Sequence, residues 1–327
     1  MKFHSFNLWR LILSFAILSA AGCSAGITDT PTFISVNDNI PTHTPTVAST
    51  SQSLIGSIAF VHGSGNDDAI YVMHADSSGL KNLTPNTPSN EDPAWSPDGK
   101  YIAFDSPTDG FAQIYTMKAD GSGLKQLTFE KNSSYSPAWS PDGNYIIFLS
   151  ARDDVVDNLG IPVQQGYIMK FDGTEQRRFT TSLDFLDGLS WYGNNDLISV
   201  SVAETRYTLR TYIVDVNGVK QKQIPEFVID SIPHWSPNGE FVIFANSCGI
   251  NVMKADGSDD VCLIKNTTSP LVYNDNPSWS PDGRHIIFSS NRDGSTDIYI
   301  VEADGSDLTR LTNMPGNEVS PVWSAVP

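Results

Sequence analysis

One phrase recurs along this chain with a nearly fixed period, and it restricts the fold more than any other feature of the sequence. PAWSPDGKYIAFDS begins at Pro93, PAWSPDGNYIIFLS at Pro137, PHWSPNGEFVIFAN at Pro233 and PSWSPDGRHIIFSS at Pro277. A weaker copy, LSWYGNNDLISV, begins at Leu189, and a truncated one, PVWSAVP, at Pro321. Trp95, Trp139, Trp191, Trp235, Trp279 and Trp323 are therefore separated by 44, 52, 44, 44 and 44 residues. A unit of this length cannot bury its apolar face alone and must stack on its neighbours, so the chain is expected to form one array rather than two separate domains.

Each unit divides in the same way. In the copy at 277, NPSWS predicts a first strand, PDG a turn, RHIIFSS a second strand, NRDGST a loop, DIYIVEA a third strand, DGSD a turn and LTRLT a fourth. Asp-Gly between alternating apolar runs is a strong hairpin signal. Four antiparallel strands per unit, repeated, predict an all-β fold, the β-propeller. The first unit, GSIAFVHGSGNDDAIYVMHADSSGLKNLT, supplies three strands and lacks a tryptophan strand, while VSPVWSAVP at the C-terminus is an orphan strand. Joined, they complete a six-bladed propeller of four-stranded antiparallel blades, closed by the C-terminal strand pairing with the N-terminal blade, with no open sheet edge left to template aggregation.

Proline locates the first strand. Pro93, Pro137, Pro233, Pro277 and Pro321 each lie two residues before a tryptophan, and proline is confined to sheet edges. The first strand is therefore the innermost one, with its free edge on the central shaft, and these prolines are expected to line that shaft. The recurring tryptophans are expected to pack between blades.

The N-terminus reads as a processing segment. MKFHSFNLWRLILSFAILSAAGC has a basic start (Lys2, Arg10), an apolar run from Leu11 to Leu18 and small residues before Cys23, the pattern of an export signal over residues 1–22. Residues 23–53 are Ser/Thr/Pro-rich and weakly charged, a tether unable to bury a core. Losing the signal changes the net charge from −17 to −19. That acidity excludes nucleic acid and anionic lipid as partners and admits cationic ones, including metal ions and basic peptides.

The phrase P-x-W-S-P-D-G-x-x-I-x-F, followed by I-Y and A-D-G-S, resembles the repeat of the TolB-type propellers, and the resemblance covers residues 54–327. It implies a six-bladed domain of periplasmic or surface proteins; in TolB the domain contacts a peptidoglycan-associated lipoprotein. The residues AAGC ending at Cys23 resemble the bacterial lipobox, which implies lipid modification of Cys23. Residues 24–53 are too short and polar to be the additional N-terminal domain that TolB carries.

Candidate functional residues are acidic. Four or five places before the tryptophans stand Glu91 with Asp92, Asp187, Asp230, Asp275 and Glu318, where the chain enters the innermost strands. Carboxylates ringing a channel mouth would focus negative potential and attract cations, Ca²⁺ or another divalent ion among them; Asp also simply suits turns before strands. The 16-residue insertion ARDDVVDNLGIPVQQG extends a loop of the third blade over the same mouth, and long loops on rigid scaffolds often carry function. No cofactor is required by any motif. The one G-x-S-x-G match, at Gly22–Gly26, has no strand-turn-helix context. Alignment of the copies scatters the histidines: His74 and His285 fall on solvated strand positions, His62 in a loop, and His234 where Ala94, Ala138 and Ser278 stand. Cys262 is expected opposite Met253, too far from Cys248 for a disulfide at about 3.3 Å per residue unless the short loop of the fifth blade folds back. These features predict a monomeric, lipid-anchored binding or scaffolding propeller of the bacterial envelope, on the periplasmic or cell-surface side, for a protein, peptide or glycan. The alternative is an envelope enzyme, a metal-dependent polysaccharide lyase or hydrolase with its site at the channel mouth.

Overall fold

The Trp-Ser-Pro-Asp-Gly phrase makes one turn, four times over. In the computed structural model the serine hydroxyl donates to the Asp or Asn side chain two residues on: Ser96 to Asp98 at 2.7 Å, Ser140 to Asp142 at 2.6 Å, Ser236 to Asn238 at 2.7 Å and Ser280 to Asp282 at 2.6 Å. The same hydroxyl accepts the backbone N–H of the residue five places later, Tyr101, Tyr145, Phe241 or His285. The glycine that follows lies at φ between 66° and 73° (Gly99, Gly143, Gly239, Gly283), which a residue with a Cβ adopts only under strain. Serine, Asp or Asn, and glycine thus close the hairpin joining the first two strands of each blade.

The structure describes residues 54–324 except 64–66, 88, 109, 154–155, 157–162, 181–185, 194–196, 206–207 and 225–231. The signal segment, Cys23 and the tether lie outside the described residues. Six four-stranded antiparallel sheets form the blades. Blade 1 joins the C-terminal strand Asn317–Ser324 to Ser57–Gly63, Ala69–His74 and Lys81–Asn82. Blades 2 to 6 span residues 91–126, 134–178, 186–223, 234–265 and 274–310. Closure occurs as the orphan strand predicts: Ser57 pairs with Ser324, Ile58 with Trp323 and His62 with Glu318. A two-stranded hairpin, Thr267–Thr268 with Leu271–Val272, occupies the connection between blades 5 and 6.

Apolar alternation builds the core. Phe60, Phe104, Phe148, Phe244 and Phe288, one in each second strand except that of blade 4, are essentially unexposed. Four of them stack on the facing tyrosine of the third strand (Tyr71, Tyr115, Tyr167, Tyr299), with ring centroids 5.6 to 6.0 Å apart. The tryptophans pack between blades as expected. Trp191 Nε1 donates across the interface to Ala138 O at 3.2 Å, Trp235 to Ser199 Oγ at 3.1 Å and Trp279 to His234 O at 3.3 Å. Burying an indole with its N–H satisfied is the economical use of this side chain.

Two expectations are corrected. The prolines before the tryptophans are buried rather than lining the shaft, because the chain bulges beside them. And Cys248 and Cys262 are joined in a disulfide, Cα–Cα 6.3 Å. From the hairpin turn the ladder runs Val252 opposite Val261 and Asn251 opposite Cys262, so Cys262 faces Asn251 rather than Met253. Asn246 pairs directly with Gly249, so the tight turn at Ser247–Cys248 brings Cys248 back over the third strand. This is the fold-back that the short loop permits.

Candidate functional site

The innermost strands of blades 1, 2, 3 and 6 change register just before their prolines. The interruption falls between Glu91 and Ala94, Tyr135 and Ala138, and Asp275 and Ser278, and between the partners of Val319 and Val322. The residue three places before the tryptophan takes a left-handed conformation: Asp92 (φ 47°), Ser136 (52°), Asn276 (50°) and Ser320 (52°). This is the geometry of a β-bulge, which re-aims side chains. The re-aimed side chains meet one another around the shaft. Ser136 Oγ donates to Asp92 Oδ2 at 2.6 Å between blades 2 and 3. Between blades 4 and 5, a Cβ on Gly188 would come within 2.4 Å of Ile232 Cγ1, so glycine is the residue that fits there. Sequence reasoning picked Asp92 but missed the ring; aligning the copies at the third place before each tryptophan would have displayed it.

The other mouth carboxylates divide by offset. Asp187 and Asp275, four places before their tryptophans, are exposed, and Glu91 at the same offset is half-buried. Glu318, five places before Trp323, is fully buried and receives His62 Nδ1 at 2.8 Å. Burial raises the Glu318 carboxyl above its ordinary range; the His62 and Thr312 hydrogen bonds oppose that rise, and neighbouring Asp297 adds to it. His62 lies at the end of a strand, not in a loop. Asp230 lies outside the described residues, as does half of the blade 3 insertion.

The loops at this end are held by arginines in blades 3 and 6, which face each other across a six-membered ring. Arg152 stacks over Phe148 and Tyr167, 5.1 and 4.6 Å from their centroids, and donates to Gln176 Oε1 at 2.7 Å. Arg292 stacks over Phe288 and Tyr299 at 5.4 and 4.8 Å and donates to Asn274 Oδ1 at 2.7 Å. Both come from the words Ser-Ala-Arg-Asp and Ser-Asn-Arg-Asp after the second strand, a signal that sequence reasoning passed over. Each fixes the root of a mouth loop by packing and hydrogen bonds together.

At the opposite, tryptophan end the shaft holds a cavity of about 290 Å³, walled by Trp95, Trp235, Trp279 and Trp323 with His234 and a girdle of Ser and Pro. Burial pushes the His234 imidazole down to about 4, against the pull of Asp92 in the opposite blade. His234 is thus a neutral donor and acceptor at physiological pH. Among the described residues, no three His, Cys, Asp or Glu side chains are grouped as metal ligands.

Residues 55–164 match the TolB beta propeller domain family. That stretch is about a third of the chain. The propeller fold is shared with TolB from Acinetobacter baumannii (TM-score 0.68, 18% identity, 82% of this chain and 66% of that chain). It is shared equally with the Kuenenia stuttgartiensis hydrazine synthase (TM-score 0.68, 16% identity, 83% of this chain and 46% of that chain). A putative TolB from Agrobacterium tumefaciens aligns over 80% of this chain and 90% of its own, with a TM-score of 0.57 and 18% identity. The chain therefore spans about two thirds of the first of these proteins and under half of the second. No curated protein matches it in sequence.

Proposed function

We propose that this chain is a binding propeller of the bacterial envelope, tethered to a membrane through lipid on Cys23, which receives a basic segment of a protein or peptide at the acidic mouth of its shaft. The observation that carries the reading is the placement of Asp187 and Asp275, exposed, and Glu91, half-buried, where the chain enters the innermost strands, beside loops whose roots Arg152 and Arg292 hold. A rigid ring presenting like charges at a concave entrance attracts cationic groups and costs little to organise on binding. The TolB-like fold supports a binding or scaffolding role in general, and acidity over the whole chain supports a cationic ligand. A divalent ion such as Ca²⁺ is the smallest ligand of that kind. Where a glycan is the natural ligand, its binding would not depend on these charges.

Calorimetry tests the mouth. Wild-type protein and the Asp187→Asn/Asp230→Asn/Asp275→Asn variant are titrated with Ca²⁺ and with an oligolysine peptide at two salt concentrations. Weaker binding in the variant, and weaker binding at high salt, is expected; equal binding by both proteins refutes the acidic mouth. Fractionation of cells carrying Cys23→Ser tests the tether separately, with release from the membrane fraction as the expected result.

A further inference from the structure

In blades 3, 4 and 6 the buried residue five places before the tryptophan faces the end of the second strand. Ser134 faces Ser150, Leu186 faces Val202 and Asn274 faces Ser290. None of these facing residues is itself ionisable: Ser134 donates to Ser150 at 3.0 Å with Arg152 donating to both, Arg292 bridges Ser290 and Asn274, and Leu186 and Val202 are apolar. Blade 1, where the two ends of the folded chain meet, has Glu318 facing His62 instead. The Glu318 backbone N–H also donates to Thr296 O of blade 6 at 2.7 Å, so one residue ties the C-terminal strand to both neighbours.

The charges at this seam do not balance. Asp297, beside Thr296, is fully buried and pairs with Arg310 Nη2 at 2.7 Å. Glu318 is fully buried too; its Oε1 meets His62 Nδ1, and the Thr312 hydroxyl and Asp297 stand beside the carboxylate, whose buried Oε2 has no cationic partner. The charged and titratable groups here are His62 from the second strand of blade 1, Asp297 from the third strand of blade 6 and Arg310 from its outermost strand. Asp293, from the adjoining loop, accepts the Tyr299 hydroxyl at 2.5 Å. Two buried carboxylates share one guanidinium, so one negative charge at the seam has no permanent counter-charge and is faced by His62 alone. An isolated buried charge of this kind takes up a proton.

We propose that Glu318, shared between His62 and Asp297, is a one-proton latch on the closing seam of the ring: protonated, it holds the C-terminal strand in place, and deprotonated, it loosens that strand. The sign follows from burial and from Asp297, both of which hold the Glu318 carboxyl above its ordinary range. A carboxyl whose folded pKa is raised stabilises the folded form at low pH, and that stability is lost as pH rises through the raised value. Loss of the proton places two carboxylates side by side away from water, and the strain falls on Asn317–Ser324, the strand that completes the ring. The closed-to-open ratio of this strand then falls by up to tenfold per pH unit between the ordinary carboxyl value and the raised one, and levels off above it.

Hydrogen exchange of the mature chain between pH 5 and 8.5, corrected for intrinsic exchange, reads the latch directly. The expected result is that amides of 317–324 lose protection with rising pH by up to tenfold per unit relative to 274–279, the corresponding strand of blade 6. In Glu318→Gln, whose amide can donate to Asp297 and accept from His62, the two strands should respond in parallel, with 317–324 protected at high pH. Parallel behaviour in the wild type, or an unchanged pH dependence in the variant, overturns the proposal. If Glu318→Gln does not fold, infrared spectroscopy of the wild type decides. A protonated-carboxyl stretch that outlasts those of the exposed carboxyls as pH is raised upholds the latch, and loss of every such band together in the ordinary carboxyl range overturns it.

Discussion

Removing the closing strand should cost this propeller more than removing the same strand's tryptophan, and both costs can be worked from the structure. Trp323 is 9% exposed and packs with Ile58, Phe60 and Met73 of its own blade and with Ile287, Ile298 and Ile300 of blade 6. Its Nε1 donates to Ile55 O at 3.0 Å. Truncating a buried aromatic to alanine costs about 3–5 kcal/mol. Ile55 is largely exposed, so water can replace the lost hydrogen bond and little need be added for it. At about 2–4 °C per kcal/mol for domains near this size, Trp323→Ala should lower the melting temperature by roughly 6–20 °C. Deleting residues 318–327 removes the indole, strips the ladder from Ser57–Gly63 and uncovers the apolar face of blade 6, so its melting point should fall below that of Trp323→Ala or the protein should aggregate. Leu271→Ala, at an exposed site on the small hairpin, serves as control and should stay within about 0.5 kcal/mol of the parent. Calorimetric melts of the four proteins at one pH settle the order. A truncated chain that melts with the parent would show that this strand does not close the ring.

Reducing the Cys248–Cys262 disulfide, which spans 14 residues, should lower stability by about 3 kcal/mol in the chain-entropy account; Cys248→Ser and the double Cys→Ser variant should match each other in urea titrations, and a denaturation midpoint unmoved by reductant would contradict a structural role. His234, with its folded value pushed down to about 4, should show no imidazole titration between pH 5 and 8 by NMR. Because the unfolded chain takes up that proton near 6.5 while the folded one does not, His234 should erode stability as pH falls from 6.5 toward 4; His234→Ala should flatten that limb, and an imidazole titrating near 6.5 would refute its burial.

The blades were legible in the sequence because each carries its own punctuation. Serine, Asp or Asn, and glycine are required in consecutive roles by one turn geometry, and the phenylalanine seven places after that turn's proline marks the centre of the second strand. A 44-residue spacing of tryptophans then reports stacking without any knowledge of the partner blade. The disulfide was less legible for a local reason. Strand counting has to guess how many residues the turn takes up, and the turn at 255–260 sets Cys262 opposite Asn251, two pairing positions from Met253, the difference between an impossible bridge and a formed one. His62 was passed over because its meaning lies 256 residues away, in Glu318.

The acidic mouth shows most clearly what a repeat can and cannot give. Counting back four or five residues from each tryptophan finds the carboxylates but merges two phases of a strand, and successive side chains on a strand point to opposite faces. The structure keeps the phases apart: Asp187 and Asp275 at an offset of four are exposed, whereas Glu318 at an offset of five is buried against His62. A bulge between these positions and the tryptophan adds a further residue that simple alternation does not count, and it turns Asp92 toward Ser136 and the shaft. The same type of side chain, one place apart in sequence, therefore stands in two different electrostatic settings. In water a carboxylate keeps its charge and can recruit a cation; in the seam it holds a proton at low pH or strains the ring once that proton is lost. The offset of five carries Ser, Asn or Leu in blades 2, 3, 4 and 6 and an acid in blade 5 (Asp230) and blade 1 (Glu318), a distinction that appears only once the two phases are read separately.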